Sequence, residues 1–553
     1  MKVRLLASSP ISENPPIAAP IQPRSETLNT RAAGVVGLAV MCSRVLGLAR
    51  EQIFAALFGG GLLMDAFTIA FRIPNLLRDL FAEGALSTAF VTIFSKTISR
   101  EGDAAAFRLA NKVTTLALVT LSGLTILGIV FAPWIISELA PGFDPAKQAL
   151  TVTLARIMYP FILMVSLAAL VMGMLNARNV FGIPAMASSF FNLGSIAAGV
   201  AFGWILDPHF GSRALMGLAL GTLVGGMLQL VVQLPALHRE GFAFRPDLVW
   251  RDRGVADVLR LMVPSVIAAS STQVNVMVNS VFASQLGNGP TSWLSISFRL
   301  MNLPLGIFGV ALGTVSLPLL ARLAGAGDRD GFRNELARGI RLAFLMTIPA
   351  TVGLIVLADP IVSVLYQHGR FTAYQAHETA GALQYYALGL IGYASLKVLV
   401  NAFYAIDRRK TPMFVSFAAV GLNLLFNWFF TWHLGWGHRG LAFSTACIAT
   451  TNFIVLFILM RRELGRFHAG ALGSLTLRVA VAAAVLAAVC IASRQWLLPG
   501  WHATGFWLRL MWLMGTIVVA TAAFALCATV LKVSELTAIT AAFKRRLNRL
   551  AAR

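Results

Sequence analysis

The sequence is poor in charged residues. Only 12% of its 553 residues are Asp, Glu, Lys or Arg, whereas 57% are hydrophobic, and water-soluble domains carry roughly 25% charged residues. A chain this long, with a mean hydropathy of +0.75, cannot bury its apolar surface in a water-soluble core and must use lipid as its solvent. The composition therefore excludes a soluble globular protein and predicts an all-α polytopic membrane protein.

The motifs of covalent and metal chemistry are also missing. The four cysteines, Cys42, Cys447, Cys490 and Cys527, lie far apart in apolar runs, which indicates small apolar filler and neither a disulfide framework nor a metal site. The eight histidines show no HExxH spacing, and Walker, GxSxG and Asp-rich motifs are absent. We therefore expect no cofactor and no metal, and a protein that is not an enzyme.

Acidic residues are half as frequent as basic ones, 23 against 45, which gives a net charge of +22. No zinc finger, helicase motif or basic–aromatic interleaving accompanies this charge, so we expect no nucleic-acid partner. The cations lie instead in short gaps between apolar runs. The basic loops therefore indicate membrane topology first, with direct binding of lipid headgroups as the alternative.

Apolar runs long enough to span a bilayer recur along most of the chain. Residues 1–31 precede them, are rich in Pro and Ser, and lack the apolar core of a signal peptide, so we expect a disordered cytoplasmic extension there. Spans 1, 2 and 8 are only moderately apolar because they carry charges. The fourteen predicted spans are 32–58, 65–94, 113–137, 149–176, 181–206, 214–237, 257–286, 292–320, 342–358, 379–406, 411–434, 440–460, 475–498 and 504–531.

Alternate gaps between these spans hold most of the cations. The gaps after the even-numbered spans are basic, whereas the other gaps hold only Lys147, Arg213, Arg370, Arg439 and Arg494. Because positive loops stay inside, the pattern predicts that both termini are cytoplasmic. An even number of spans follows, in agreement with fourteen.

An internal repeat divides the chain into two like-oriented bundles. The segment 71–76 (FRIPNL) resembles 298–303 (FRLMNL) at an offset of 227, and Gly142-Phe143 matches Gly369-Arg370-Phe371. The segment 176–179, leading to Pro184, parallels 405–408, leading to Pro412, and the two prolines are 228 residues apart. A six-span repeat places both copies in the same orientation around an axis along the membrane normal. We therefore expect an N-terminal bundle (32–237), a cytoplasmic linker (238–256), a C-terminal bundle (257–461) and two further spans with a basic tail (462–553).

Charges within the spans concentrate in spans 1, 2 and 8. A charge at a helix centre costs about 2.5–3.5 kcal/mol and persists where it faces water, a partner or a substrate. On an ideal helix Asp65, Arg72, Asp79 and Glu83 fall within about 40° of one face. One interpretation is that salt bridges lock span 1 to span 2, for instance between Asp65 and Arg44 or Arg50.

The excess of arginine over acid favours the other interpretation, an anionic ligand. The planar guanidinium fork suits bidentate contacts with phosphate. Arg72 and Arg299 are equivalent in the repeat, so we expect them to face each other across the axis and clamp a pyrophosphate. The candidate substrate-binding residues are Arg44, Arg50, Asp65, Arg72, Arg78, Glu83 and Arg299.

Several blocks resemble the MurJ (MviN) lipid II flippase family. The segment 43–50 (SRVLGLAR) is similar to its opening motif, and 65–85 with Arg72-Ile73-Pro74-Asn75-Leu76 resembles its second helix. The segments 309–314 (GVALGT), 367–372 (QHGRFT) and 410–412 (KTP) match too. The resemblance implies the fold of the multidrug/oligosaccharidyl-lipid/polysaccharide exporter superfamily, with Arg44, Arg50, Asp65, Arg78 and Arg299 in its cavity.

This resemblance further implies a flippase of a bacterial inner membrane, in contact with membrane lipids, and we expect it to function as a monomer. Its substrate would be undecaprenyl-pyrophosphate-linked muropeptide, moved from the inner to the outer leaflet by alternating access. The family usually has acids at the positions of Phe298 and Asn302, so this cavity is more cationic and any cation coupling through those acids is in doubt. Alternatives are a flippase for another polyprenyl-diphosphate oligosaccharide and a drug/cation antiporter, which would need an acidic cavity. A membrane glycosyltransferase would need carboxylates for a metal, and no such cluster appears.

Overall fold

The computed structural model describes residues 30–80, 86–465, 469–496, 504–533 and 535–536, which contain nineteen α-helices and no strand. Helices are the expected solution because a segment in lipid must satisfy its backbone hydrogen bonds internally. The prediction of an all-α fold is confirmed. The predicted disordered extension lies outside the described residues, apart from its last two residues.

The first nine helices cover the predicted N-terminal bundle. The described part of the predicted span 65–94 forms α2 and α3, and the span 149–176 is broken into α5 and α6 at Pro160. Their bounds are α1 Thr30–Phe58, α2 Leu62–Leu77, α3 Leu86–Glu101, α4 Asp103–Leu139, α5 Pro145–Met158, α6 Phe161–Ala177, α7 Gly182–Leu206, α8 Ala214–Val231 and α9 Leu234–Arg239.

The remaining ten helices cover the second bundle and the two additional spans. A π-helical turn, Phe429–His433, continues α16. The bounds are α10 Arg253–Ser284, α11 Pro290–Gly325, α12 Arg329–Val356, α13 Ala358–Tyr366, α14 Ala373–Leu388, α15 Leu390–Ala405, α16 Lys410–Trp428, α17 Gly437–Leu464, α18 Ala469–Trp496 and α19 Phe506–Val530.

Nine helical segments of the described chain are long and apolar enough to cross a membrane, and eleven if each of two bent pairs forms one span. The regions that do not qualify are α1, α2 with α3, and α11. They correspond to the charged spans 1, 2 and 8, whose polar side chains lower their mean hydropathy. The chain is thus a multi-pass membrane protein, and the number fourteen stays a prediction.

Polar caps fix where several helices begin. Asp144 accepts a hydrogen bond from Lys147 N (3.0 Å) before α5, Asp252 from Gly254 N (2.8 Å) before α10, and Asp328 from Gly331 N (2.8 Å) before α12. Thr372 and Gln375 form a capping box at the start of α14. Each cap satisfies backbone N–H groups that the first helical turn leaves without partners.

The repeat predicted from the sequence is visible in the backbone. Asn179 after α6 and Asp407 after α15 are separated by 228 residues, and both adopt the left-handed conformation, with φ of 63° and 57°. Few residues other than glycine take this conformation. The same uncommon turn therefore ends corresponding helices in the two bundles.

The two ends of the helical assembly differ in chemistry. We call the end that carries the connections α3–α4, α6–α7, α9–α10, α11–α12, α15–α16 and α17–α18 the basic end, because most of the cations lie there. Most of the exposed tryptophans among the described residues lie at the opposite end, as expected where aromatic rings meet a membrane interface. They are Trp134, Trp204, Trp428, Trp432, Trp436, Trp496 and Trp507, whereas exposed Trp250 lies at the basic end.

Glycines let α7 and α8 pack at backbone contact. A Cβ on Gly217 would lie 2.2 Å from Gly203 N, and a Cβ on Gly221 would lie 2.4 Å from Gly199 Cα. These atoms belong to backbone and cannot rotate away. We therefore expect Gly217→Ala to lower the free energy of unfolding by about 1–3 kcal/mol, the usual cost of overpacking.

Gly123 provides the control for this prediction, which is checked by thermal unfolding in detergent. It lies within α4, and a Cβ there would meet nothing within 4 Å. Gly123→Ala should leave the unfolding midpoint unchanged or slightly raised, because alanine is the better helix former. An unchanged midpoint for Gly217→Ala would contradict the packing described here.

Candidate functional site

A cavity of about 350 Å³ lies between the two bundles. Helices α1, α2, α7 and α8 line it from the N-terminal side, and α11 lines it from the C-terminal side. Four arginines and one glutamate give it an excess of positive charge. The lining residues are Arg50, Glu51, Phe54, Ala55, Met64, Phe67, Thr68, Phe71, Arg72, Asn75, Arg78, Phe191, Thr222, Ser292, Ser295, Ile296 and Arg299.

Glu51 of α1 links the arginines of the two bundles. Its carboxylate is in ion-pair contact with Arg299 of α11, and its Oε1 lies 3.9 Å from Arg50 Nη2. The Arg50 guanidinium also lies 5.0 Å from the centroid of the Phe191 ring, in cation–π geometry. The Arg299 side chain is half exposed, whereas that of Glu51 is 13% exposed. Arg299 therefore retains accessible guanidinium surface for an anion.

Arg72 reaches the same cavity from α2. Its Nε is buried and has no hydrogen-bond partner among the described residues. A buried charged donor without a partner is costly, and such groups are typically satisfied by a ligand or water. Arg72 and its repeat equivalent Arg299 thus line one cavity from the two bundles, and the pyrophosphate clamp between them stays a prediction.

Arg78 lines the cavity one residue beyond the end of α2. Its Nη2 lies 3.0 Å from Asp79 Oδ1. Asp79 is also 3.4 Å from Asn75 Nδ2 and 3.5 Å from Gln273 Nε2 of α10. On an ideal helix Arg78 falls on a different face from Arg72, but α2 gives way to a π-helical turn here. That change of geometry allows both arginines to reach one cavity.

Arg44 lies on α1 outside this cavity, closer to the basic end. A Cβ on Gly306 of α11 would lie 2.8 Å from its Nη1, so the absence of a side chain at Gly306 makes room for the guanidinium. Lys397 of α15 is near enough to Arg44 for their charges to repel each other. Two exposed cations from opposite bundles therefore lie on the basic-end side of the cavity.

Asp65 has a different environment from the one predicted. Its carboxylate is fully buried and accepts hydrogen bonds from Lys147 Nζ (3.0 Å), Gly289 N (2.6 Å), and both N (2.8 Å) and Oγ (2.6 Å) of Ser292. It thereby caps the start of α11 and does not line the cavity. The suggested salt bridge from Asp65 to Arg44 or Arg50 is wrong, because Lys147 is its ionic partner.

Repeat-equivalent contacts join the two bundles at the opposite end. Gly142 N lies 3.4 Å from Ser284 Oγ of α10, and Arg370 N donates to Ala56 O of α1 at 2.8 Å. A Cβ on Gly142 would lie 2.4 Å from Gln285 Cα, and one on Gly369 would lie 2.3 Å from Ala56 O. Each bundle thus places a glycine turn on the first long helix of the other. This end of the cavity is closed.

The structure brings Arg50, Arg72, Arg78 and Arg299 together, sets Arg44 beside them, and places Asp65 elsewhere; Glu83 lies outside the described residues. The sequence analysis did not select Glu51, although Glu51 directly follows Arg50. It also did not select Lys147, which it treated as a cation in a gap between spans.

The positions where the family usually has acids hold other side chains here. Phe298 packs against Tyr386 and Tyr393, and Asn302 Nδ2 donates a hydrogen bond to Phe298 O. Neither supplies an acid, so Glu51 is the one acidic residue that lines the described cavity.

Comparisons with known proteins agree with this architecture. The family model described as "Lipid II flippase MurJ" matches residues 54–512. The lipid II flippase MurJ of Burkholderia cenocepacia is 37% identical over 439 residues, which cover 78% of this chain and 84% of that protein. The probable lipid II flippase MurJ of Buchnera aphidicola is 35% identical over 423 residues, 76% and 81% of the two chains.

Solved structures share the fold. A structure titled as lipid II flippase MurJ in an inward closed conformation matches with a TM-score of 0.73 at 24% identity, covering 90% of this chain and 98% of that one. An inward-facing multidrug transporter of the MATE family, in the MOP superfamily, matches with a TM-score of 0.64 at 15% identity, covering 80% and 99%. At these identities the likeness concerns the fold alone.

Proposed function

The chain belongs to the MurJ family of lipid II flippases, and we propose that it moves lipid II from the inner to the outer leaflet by alternating access. The observation that carries this proposal is the cavity between the bundles, with four arginines against one glutamate. Lipid II carries its negative charge on a diphosphate, and guanidinium groups bind such oxygens bidentately. The polyprenyl tail would remain in the membrane throughout.

We assign the diphosphate to the arginines of both bundles. Arg72 would use its unpartnered Nε, and Arg299 would leave Glu51 for a phosphate oxygen. Arg50 and Arg78 add positive charge to the same cavity, while Arg44 and Lys397 attract the anion at the basic-end side. Glu83, which lies outside the described residues, remains a predicted contact on helical spacing alone.

The basic end is assigned to the cytoplasm, because positive loops are retained inside. Closure of the opposite end by Asp65, Gly142 and Gly369 then corresponds to a state that receives substrate from the cytoplasm. Rocking of the two bundles would break these contacts and open the cavity outward. We propose that one chain is sufficient, because both bundles and the whole cavity belong to a single molecule.

Membrane potential favours this direction of transport. Moving one negative charge outward across an inside-negative membrane gains about 2.3 kcal/mol per 100 mV. We therefore expect flipping in proteoliposomes to slow when an imposed inside-negative potential is collapsed with an ionophore. Equal rates with and without the potential would contradict this driving force while leaving the substrate assignment intact.

The test of function is rescue of a bacterium depleted of its own flippase. The native chain should restore growth, and Arg44→Ala and Arg299→Ala should fail although both variants reach the membrane. Arg260→Ala is the matched control, since Arg260 is exposed on α10 and, among the described residues, pairs with Asp257 of its own helix. Failure of the native chain, together with transport of a different polyprenyl-diphosphate oligosaccharide in vesicles, would overturn lipid II as the substrate.

A further inference from the structure

The linker between the two bundles follows α4 away from the basic end and toward the membrane. Phe242 packs on Phe107, with ring centroids 5.6 Å apart. Arg245 N then donates to Asn111 Oδ1 (3.0 Å), and Asp247 N donates to Thr115 Oγ1 (3.0 Å). Positions 107, 111 and 115 are successive turns of one helix face, so the linker advances by about 12 Å along α4.

The tip of this linker is apolar and exposed. Leu248, Val249 and Trp250 are 63%, 55% and 63% exposed, and they follow the contact with Thr115. The last charged residue of α4 on this side is Lys112, and an apolar run begins at residue 113. The three side chains therefore lie beside the first apolar turns of α4, where the hydrocarbon of a bilayer begins.

Most backbone N–H groups of the tip have hydrogen-bond partners. Within 245–250, Pro246 has no N–H, Arg245 N and Asp247 N donate to α4, Val249 N donates to Asp247 Oδ1 (3.0 Å), and Trp250 N donates to Leu248 O (2.8 Å). Leu248 N has no partner among the described residues. Backbone groups at membrane depth must be satisfied within the protein, and four of the five N–H groups here meet that requirement.

Cations flank the apolar tip on both sides. Arg245 precedes it, and Arg251 and Arg253 follow it, with the Arg251 guanidinium 5.2 Å from the Trp250 ring centroid. Lys112 donates to Asp252 Oδ2 at 2.6 Å, which returns the chain to the start of α10. This hydrogen bond lowers the pKa of Asp252, so the Asp252 carboxylate stays ionised near neutral pH.

We propose that Leu248, Val249 and Trp250 insert into the membrane leaflet at the basic end, with Arg245, Arg251 and Arg253 on anionic lipid headgroups. The Trp250 ring would lie at the level of the lipid headgroups, where tryptophans are enriched in membrane proteins. The arginines add electrostatic attraction to anionic lipid. The loop thereby anchors the connection between the bundles at a fixed depth while they move. The identification of this leaflet as the inner leaflet rests on the orientation proposed above. Insertion of the loop itself does not depend on transport.

Fluorescence quenching tests the insertion. Leu248→Cys is introduced after the four native cysteines are replaced by alanine, labelled with an environment-sensitive dye, and reconstituted in vesicles with 25% phosphatidylglycerol. Glu101→Cys, at the exposed last residue of α3, is the matched control at the same end. We expect brominated lipid to quench the label at 248 at least threefold more than at 101, and aqueous iodide to show the reverse. Equal quenching at both positions would overturn the proposal.

The headgroup contacts are tested separately. Vesicles of phosphatidylcholine alone should lower quenching by brominated lipid at 248, and Arg245→Gln with Arg251→Gln should lower it in anionic vesicles, each about twofold. Quenching that is indifferent to both changes would overturn the role of the arginines. Because dye quenching needs no flipping, its outcome is independent of whether lipid II proves to be the substrate.

Discussion

Arg299→Ala is expected to reduce lipid II flipping in proteoliposomes by about 100-fold. The substitution removes the charged donor that α11 contributes to the cavity, and a hydrogen bond to a charged group is worth about 1.5–3 kcal/mol, where 1.4 kcal/mol is a factor of ten. Arg299→Lys should lose about tenfold, because an ammonium keeps the charge but not the bidentate fork. The measurement is the rate at which labelled lipid II becomes accessible outside.

The control for Arg299 is again Arg260→Ala, which removes an exposed arginine from the same bundle. It should flip at the rate of the native protein. Native-like rates for Arg299→Ala would contradict the role of the cavity. Reduced binding of a soluble diphosphate analogue by Arg299→Ala should accompany the loss of rate, since ligand affinity and transport depend on the same guanidinium.

Substitution of Glu51 should change anion binding in the direction opposite to Arg299→Ala. Its carboxylate contacts Arg299 and lies near Arg50 in the absence of substrate, so an incoming diphosphate must compete with it. Glu51→Gln should therefore bind the anion more tightly and yet release it more slowly, with a lower flipping rate. If Glu51→Gln weakened binding, Glu51 would be a structural partner of the arginines and not a competitor of the substrate.

The sequence predicted much of the site because the repeat carries geometric information. The offset of 227 predicts that Arg72 and Arg299 lie around one axis, and both line the cavity. The same offset joins Asp65 to Ser292, which are in direct contact. That contact was not foreseen, because an acid and a serine show no similarity in an alignment. Comparison of the two repeats finds positions that hold similar residues in both copies. A contact across the axis instead needs two residues of complementary chemistry, such as an acceptor and a donor.

Lys147 shows a second limit of the sequence. In a sequence, a single cation in a short gap between two spans indicates only membrane topology. The Lys147 side chain nevertheless lies beside Asp65 and is only 1% exposed. Its depth depends on the packing of α5 against α2, which brings residues 82 positions apart together. The pattern of hydropathy describes which segments enter the membrane, but it does not describe which loop folds back into the protein. Burial of a loop cation is decided by tertiary structure.

The largest effect on stability is expected for Asp65→Ala. The substitution leaves the Lys147 ammonium buried without its carboxylate and removes the cap at the start of α11. Loss of one partner of a buried ion pair costs about 3–5 kcal/mol. We expect a markedly lower thermal unfolding midpoint in detergent, whereas Asp257→Ala, at an exposed pair on α10, should leave the midpoint unchanged.

A second variant separates this structural role of Asp65 from the substrate contact that the sequence predicted. Lys147→Met combined with Asp65→Ala removes both buried charges, and replacing a buried ion pair by apolar side chains is often neutral. The double variant should regain most of the lost stability, although the cap on α11 is still absent. If Asp65 acts only by neutralising the buried Lys147 charge, flipping should return along with stability. A stable double variant that cannot flip would instead show that transport needs the Asp65 carboxylate itself, either for its bonds to Gly289 and Ser292 at the closed end or for the substrate.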